Sequence, residues 1–410
     1  MSVDKMKKIA VITTHVALPG EKGYTRIRYV ADLLAKNGYE VDLITSSFHH
    51  WSKQQRNLKN ISNNELYKIK IFNAPGYKKN IDFRRLYNNH IEAKNLVKIL
   101  ETNEYDLLYV EIPPNNVALA AACYAKKKNI PIIVDVMDLW PEAMRMVIDI
   151  PVISDILFYP LYTDAENTYK IASGIIGTSD EYRMRPFKYQ KRNIPSETVY
   201  VGNELEEFDN GVRENLSRVK KDQNDFWVTY AGTIGLSYNL DNLIEASKLI
   251  KERGFDNIKF KILGGGPLLD TLKNKALHEK CDVDFVGFMD YKHMAAYLYK
   301  SDLLVNSFQR KASQSIVTKI ADYLAAGKPI INTLLSPEFC NKVNKDGFGI
   351  NIEPENPKVL ADAIIQLYNN KDLCKKMGAS ARYIAETQFD RKKSYIKILN
   401  MVESLLKNGK

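Results

Sequence analysis

Short apolar runs alternate with amphipathic segments along almost the whole chain, and the alternation breaks only once. Residues 8–14 (KIAVITT), 39–45 (YEVDLIT), 68–75 (KIKIFNAP), 106–111 (DLLYVE) and 130–138 (IPIIVDVMD) read as strands buried on both faces. Between them lie segments with helical spacing, such as 24–36, which sets Ile27, Val30, Ala31 and Leu34 on one face, and the basic segment 82–101. Strand, helix, strand in succession builds a parallel sheet with right-handed crossovers. Residues 204–225 are charged and lack a buried-strand pattern, after which the alternation restarts at 226–235 (FWVTYAGTIG), 258–266 (IKFKILGGG), 283–289 (VDFVGFM), 302–308 (DLLVNSF) and 328–333 (KPIINT). The expected fold class is α/β, with two doubly wound, Rossmann-like domains facing each other across a cleft. The first spans 1–203 and the second 204–387, with the terminal helix 388–410 crossing back onto the first. A chain of 410 residues has room for both cores.

Charge narrows the partners. A net charge of +10 asks for an anion: nucleic acid, a phosphorylated substrate or an anionic membrane surface. The basic clusters (Lys5, Lys7, Lys8; Lys78, Lys79, Arg84, Arg85; Lys126 to Lys128; Arg183, Arg185, Lys188, Lys191, Arg192) all precede residue 200, without a nucleic-acid module signature. No nucleic acid is expected, and the basic helix 82–101 offers peripheral docking to anionic lipid against the simpler reading of a solvated face. No apolar run reaches the ~18 to 20 residues of a membrane span, so the expected location is cytoplasmic, with room for attachment to the inner face of the cell membrane. Cys123, Cys281, Cys340 and Cys374 lie far apart, and the six histidines show no ligand spacing, so neither disulfides nor a metal site is expected. Asp282 and Asp284 imitate a metal-binding DxD pair, but they open a buried strand, where solvation of its start explains them. His15, in the first strand's exit loop, is a candidate on the acceptor side.

Two regions carry the chemistry. In 313–332 (SQSIVTKIADYLAAGKPIIN), Ser313 or Ser315 can cap a helix that Gly327 and Pro329 end. Ile316, Ile320, Tyr323 and Leu324 then face a sheet, while Ser315, Thr318, Lys319 and Asp322 share another stripe. That stripe is either a phosphate site at a helix start or a solvated face. Glycines at three preceding strand exits, Gly232 with Gly235, Gly264 to Gly266, and Gly287, favour a nucleotide cleft, because backbone amides can approach phosphate there. In the first half Gly20 and Gly23 sit in the first turn without the GxGxxG fingerprint, which disfavours a NAD enzyme. Asp138, Trp140 and Glu142 lie at the carboxyl end of a strand, where an acid beside an aromatic ring suits a sugar. Residues 46–68, polar and aperiodic around Trp51, read as a lid or acceptor loop, or as disorder.

The segments near Gly20, DLWP, YAGTIG, ILGGGP, VDFVGF and above all KIADYLAAGKPII resemble the GT-B glycosyltransferases of the large retaining family four. DLWP and KIADYLAAGKP are most similar to the subgroup that makes surface polysaccharides of capsule and O-antigen type. The resemblance implies transfer of a sugar, GlcNAc or a related N-acetylamino sugar, from a UDP-sugar to a lipid-linked or saccharide acceptor. It implies retention of configuration and no metal or other cofactor. The site it implies has Asp138, Lys319 and Gln314 at the chemistry, with Gly20, Gly23, Trp140 and Glu142 toward the acceptor. Toward the donor it has Gly232, Thr233, Gly235, Gly264, Gly265, Phe288, Ser315, Ile316, Val317, Thr318 and Asp322. Two departures stand out. Gln314 and Asp322 occupy the places of the family's glutamate pair, and Thr233 and Tyr238 those of an arginine and a lysine. Phosphate neutralisation then falls to Lys319, Arg310 or Lys311. A sugar-nucleotide 2-epimerase and a non-catalytic sugar-nucleotide-binding subunit are the alternatives.

Overall fold

The computed structural model describes residues 6–408 except 22, 24, 59–65, 81, 146–149, 151 and 313. The chain divides into two compact units, Met1–Val199 with Tyr395–Lys410, and Tyr200–Ser394. These boundaries fall a few residues from the expected 203/204 and 387/388.

The first unit is built on seven parallel strands: β1 (Lys8–Ile12), β2 (Glu40–Ser46), β5 (Lys68–Phe72), β6 (Leu107–Ile112), β7 (Ile132–Val136), β8 (Gly174–Gly177) and β9 (Ser196–Thr198). Their order is β5-β2-β1-β6-β7-β8-β9. Alternate residues of β1 feed two cores: Ile9 and Val11 pack with Ile27, Val30, Ala31 and Leu34 of helix Arg26–Lys36, and Ala10 and Ile12 with Leu96 and Leu100 of helix Phe83–Glu101. Ile398, Met401 and Val402 of the last helix, Ile396–Asn408, join the first of these cores. Arg26 is locked within this unit. Its guanidinium donates twice to Asp135, at 3.0 and 3.1 Å, and to Val199 O and Tyr395 Oη at 2.9 Å each. Where a disordered loop was one expectation, β3 (Phe48–His49) and β4 (Gln54–Gln55) form a small antiparallel hairpin anchored by buried Phe48 and Arg56; residues 59–65 of that loop lie outside the described residues.

The second unit carries six parallel strands: β10 (Phe226–Ala231), β11 (Ile258–Leu263), β12 (Val283–Gly287), β13 (Leu303–Asn306), β14 (Ile330–Asn332) and β15 (Gly349–Asn351), in the order β12-β11-β10-β13-β14-β15. The charged stretch after residue 203 is no plain linker. Leu205, Phe208 and Val212 form a buried stripe on helix Leu205–Asn215, which packs on helix Tyr291–Lys300 so closely that a Cβ on Gly211 would come within 2.8 Å of Lys292 Cα. Three apolar residues at helical spacing outweigh the polar majority because they alone decide which face is buried.

Strand order reverses between β1 and β6 in the first sheet and between β10 and β13 in the second. In doubly wound sheets the crevice outside the strand ends at such a reversal is where ligands sit.

Candidate active site

At the reversal in the second unit, the exits of β10, β11 and β12 are stitched together by backbone: Gly232 N donates to Leu263 O at 3.0 Å, Ile234 N to Gly265 O at 2.9 Å and Gly264 N to Gly287 O at 2.8 Å. A Cβ on Gly264 would lie 2.0 Å from Gly232 O, and one on Gly266 2.2 Å from Ile234 O. Glycine is therefore required at both positions for the chain to pack on itself, and the expected use of Gly264 for ligand approach gives way to this one. Gly265 and Gly287 do face open space, Gly235 meets only Thr233 Cγ2 at 3.6 Å, and the neighbouring Thr233 and Phe288 are exposed, Phe288 to 75%.

The segment after β13 departs from expectation. The helix begins at Lys319 and ends at Ala325, with Thr318 as its uncapped N-cap; Ser315 is not the cap, and Ser313 lies outside the described residues. Ile316, Val317 and Thr318 are three consecutive β-branched residues, which lose side-chain freedom in a helix and delay its start. The stripe expected from Ser315 to Asp322 therefore does not form as one face. Ser315 is buried and donates to Glu338 at 3.3 Å, while Ile316 and Val317 pack against the core. A helix this short offers no useful dipole end, so the anion-binding role cannot rest on it. The C-terminal half holds: Ile320, Tyr323 and Leu324 are fully buried and Gly327 adopts φ +64°.

Lys319 and Asp322 are both half-buried, in different surroundings. The Lys319 ammonium is shut off from water and has no hydrogen-bond partner. It lies among three aromatic rings, 4.1 Å from the centroid of Tyr230, 4.3 Å from Tyr238 and 5.1 Å from Phe308. Burial with no compensating carboxylate holds its pKa well below the ordinary lysine value. Its stem passes 3.6 Å from the position a Cβ on Gly232 would take, so β10's exit loop and the helix after β13 meet at this side chain. Asp322 Oδ1 accepts from Asn203 Nδ2 at 2.8 Å and Tyr291 Oη at 2.7 Å. Burial raises its pKa, and these two donors oppose the rise. Gln314 Oε1 is a second buried polar atom without a partner, on the same segment as Lys319. Arg310 is held at the surface by Glu353 at 3.0 Å, and Lys311 is exposed.

In the first unit the structure brings together residues that the sequence left scattered. Asp138, after β7, accepts from Leu139 N at 2.8 Å, and burial raises its pKa. Trp140 is buried beneath the guanidinium of Arg85, 4.3 Å from the ring centroid. Arg85 was expected on a solvated or membrane-facing helix surface; it is 8% exposed, stacks on Tyr77 as well, and donates to Asn80 O at 2.9 Å. Arg84 is the exposed one of the pair. Arg85, Asn88, Asn89 and Glu92 continue the buried stripe of Leu96 and Leu100 toward the helix start, a periodic signal that a reading for apolar residues alone passes over. His15 packs edge-on against His50, at 4.5 Å between centroids, and His50 Nδ1 bonds Tyr77 Oη. Desolvation and nearby cations hold both imidazoles neutral, His50 down to about 3. Burial and the charge of Arg85 bring Lys53 down to about 8. Glu92 is pushed up to about 7 by burial, and Glu111, bonded by Thr13, up to about 8. Glu142 is committed to an ion pair with Arg185, and Gly23 packs against the ring of Trp51, which a Cβ would strike at 2.6 Å. Gly20 adopts φ +85° at an open turn.

Asp282 and Asp284 are each taken by a lysine of β11, Lys259 at 2.6 Å and Lys261 at 3.0 Å. Among the described residues no cluster of three or more His, Cys, Asp or Glu side chains could hold a metal, and no helix is long and apolar enough to cross a membrane.

Residues 212–383 match the family described as Glycosyl transferases group 1. EpsD of Bacillus subtilis (strain 168), which carries a provisional glycosyltransferase name, is 24% identical over 307 residues, covering 71% of this chain and 75% of its own. Among solved structures, sucrose-phosphate synthase from Thermosynechococcus elongatus superposes with TM-score 0.75 at 15% identity, over 98% of this chain and 100% of that one. Anabaena HepE, solved in complex with UDP, gives 0.67 at 16% identity, over 97% and 100%. The two doubly wound sheets are thus those of the GT-B fold, and with the group 1 match over the unit that holds Lys319, the chain is a glycosyltransferase.

Proposed function

We propose that this enzyme transfers a sugar, GlcNAc or a related N-acetylamino sugar, from a UDP-sugar to a lipid-linked or saccharide acceptor in surface polysaccharide synthesis, with retention and at the inner face of the cell membrane. The observation that carries the donor side is the buried, unpaired ammonium of Lys319 where β10 and β13 part. A desolvated cation without a counter-ion is costly, and a diphosphate at this edge supplies the missing charge. Tyr238 stands where similar enzymes carry a lysine, and its ring is one of those touching Lys319. In this reading Lys319 supplies, beside the same loop, the positive charge that such a lysine would bring. HepE's bound UDP supports the choice of nucleotide. The donor sugar, the retaining course and the capsule or O-antigen setting rest on the resemblance of DLWP and KIADYLAAGKP.

In this reading the leaving diphosphate gains charge as the anomeric bond breaks, and Lys319, without water to screen it, stabilises that charge in place of a metal. Asp322, its Oδ1 already fixed, offers Oδ2 to ribose hydroxyls. Gln314 Oε1 accepts from a sugar hydroxyl. Asp138 and Trp140 hold the acceptor in the first unit. Removing one preorganised contact of the Lys319 kind costs ~3 kcal/mol of barrier, roughly 100-fold in rate. Incubation with a panel of UDP-sugars and a membrane extract tests the proposal. Transfer that falls about 100-fold in Lys319→Ala supports it. An epimerised sugar nucleotide, or UDP-sugar binding without turnover as the loss of the glutamate at Gln314 would allow, contradicts it.

A further inference from the structure

Where β10 and β13 part, a side chain closes the edge of the sheet. β10 pairs with β11 as far as Ala231 opposite Leu263, but with β13 only through Val228 and Thr229, opposite Leu303 and Leu304. Gly232 N turns to β11, where it donates to Leu263 O, so the N–H and C=O of Ala231 turn the other way, into the gap beside β13. Ala231 is buried, and buried backbone groups need partners. Both find the same one. Tyr323 Oη accepts from Ala231 N at 2.8 Å, and its one proton faces Ala231 O at 3.1 Å and Val305 O at 3.4 Å. The phenol stands in for the missing strand partner at the reversal.

Its place in the chain ties it to the site. Tyr323 lies four residues after Lys319 on the seven-residue helix Lys319–Ala325, so the two side chains leave the same face, one turn apart. That helix has no side-chain cap at its start, and the Tyr323 bonds fix its rotation and height against β10 and β13. They thereby fix where the Lys319 ammonium reaches. A second phenol acts from the loop side. Tyr230 Oη donates to Thr233 O at 2.7 Å, and its ring is the one 4.1 Å from Lys319 Nζ. A Cβ on Gly232 would meet Tyr230 Oη at 3.2 Å and Lys319 Cδ at 3.6 Å, so loop, ring and stem adjoin. The two hydroxyls hold Ala231 and Thr233, on either side of Gly232. Packing alone does not call for them, since phenylalanine would fill the same space without a polar atom to satisfy.

We propose that the hydroxyls of Tyr323 and Tyr230 are positioning groups for the transfer reaction, setting Lys319 and the backbone of Ala231 to Thr233 at the height where both meet one diphosphate. This rests on the reading of Lys319 as the donor's phosphate ligand and deepens it. Tyr323 is fully buried and acts through the helix and the loop, without touching the donor. Once its hydroxyl is gone, Ala231 loses the partner of both its backbone groups, and the helix loses its tie to β10.

The test compares UDP affinity, measured calorimetrically at one pH on the full chain, for Tyr323→Phe, Tyr230→Phe, Lys319→Met, the combination of each tyrosine change with Lys319→Met, and Tyr368→Phe. Tyr368 packs on Phe226 at the start of β10 and its Oη accepts from Asn257 Nδ2 at 2.6 Å, so Tyr368→Phe removes a phenol bond at the opposite end of the same strand. Tyr323→Phe should weaken UDP binding about tenfold, as expected when buried groups lose a hydrogen-bond partner, and Tyr230→Phe should act in the same direction. In the Lys319→Met background each change should cost less than about twofold, because groups that act as one unit are not additive. Tyr368→Phe should leave UDP affinity unchanged. Unchanged affinity in both Tyr323→Phe and Tyr230→Phe overturns the proposal, as does an equal fold-loss with and without Lys319, which is what a merely structural hydroxyl would give. If Tyr323→Phe does not fold, Tyr230→Phe alone decides by the same comparison. Lys319→Met binding UDP as tightly as the native chain would strike the donor reading instead, so the two failures are distinguishable.

Discussion

Among the buried charged groups of this molecule, the Arg26 guanidinium and the Lys319 ammonium are treated in opposite ways. Arg26 meets Asp135 through two parallel hydrogen bonds, and its remaining donors reach Val199 O and Tyr395 Oη. Desolvation acts against its charge, yet the carboxylate more than offsets this and its pKa ends above the ordinary value. Lys319 has aromatic rings and no acceptor at all, and its pKa ends well below. A desolvated cation–π contact is worth ~2 kcal/mol or somewhat more, less than the several kcal/mol that stripping an ammonium of water costs. The difference teaches which buried charge serves the fold and which serves a ligand: a structural cation is complete in the free protein, and a binding cation is left one partner short.

The largest effect should come from breaking the complete site. Asp135→Ala leaves Arg26 buried and uncompensated, and should destabilise the first unit by about 3–5 kcal/mol, measured by urea unfolding. A loss below about 1 kcal/mol would mean that water or Tyr109, which donates to Asp135 at 2.6 Å, takes over the pairing. Lys319→Met should do the reverse, keeping the stem's packing while removing a charge without a partner. Its unfolding free energy should rise by on the order of 1 kcal/mol although transfer collapses. The pH profile separates the two sites further. Between the lowered pKa of folded Lys319 and the ordinary value of 10.5, the unfolded chain carries a proton that the folded one lacks, so native stability should rise with pH across that window. Lys319→Met should lack that rise.

Much of this was legible in the residues. Strand and helix alternation announced both sheets, because fully buried parallel strands leave a continuous apolar trace. Gly327 and Pro329 marked the end of their helix. Other features were hidden for physical reasons. The delayed start at Lys319 follows from Ile316, Val317 and Thr318, whose local stiffness overrode the spacing that placed Ser315 on the same face. The helix after residue 203 was masked because Leu205, Phe208 and Val212 are few among charges. Arg85 and Glu92 were invisible as buried groups since charged residues at buried spacing read as surface until their partners are known. No periodicity could reveal that Tyr230, Tyr238 and Phe308 converge on one ammonium, because they arrive from β10, its exit loop and the stretch after β13.

The central claim is that Lys319 stays unpaired until a diphosphate arrives, and proton uptake on binding tests it most directly. UDP should be titrated calorimetrically at pH values between about 7.5 and 9.5, above the phosphate's own ionisation near ~6, in buffers of differing ionisation enthalpy. A diphosphate beside Lys319 raises its pKa toward the ordinary range, so binding must draw protons from the buffer. The account predicts net proton uptake on UDP binding in the native chain and none in Lys319→Met. Tight UDP binding with no uptake in the native chain, or with equal uptake in both proteins, would contradict it.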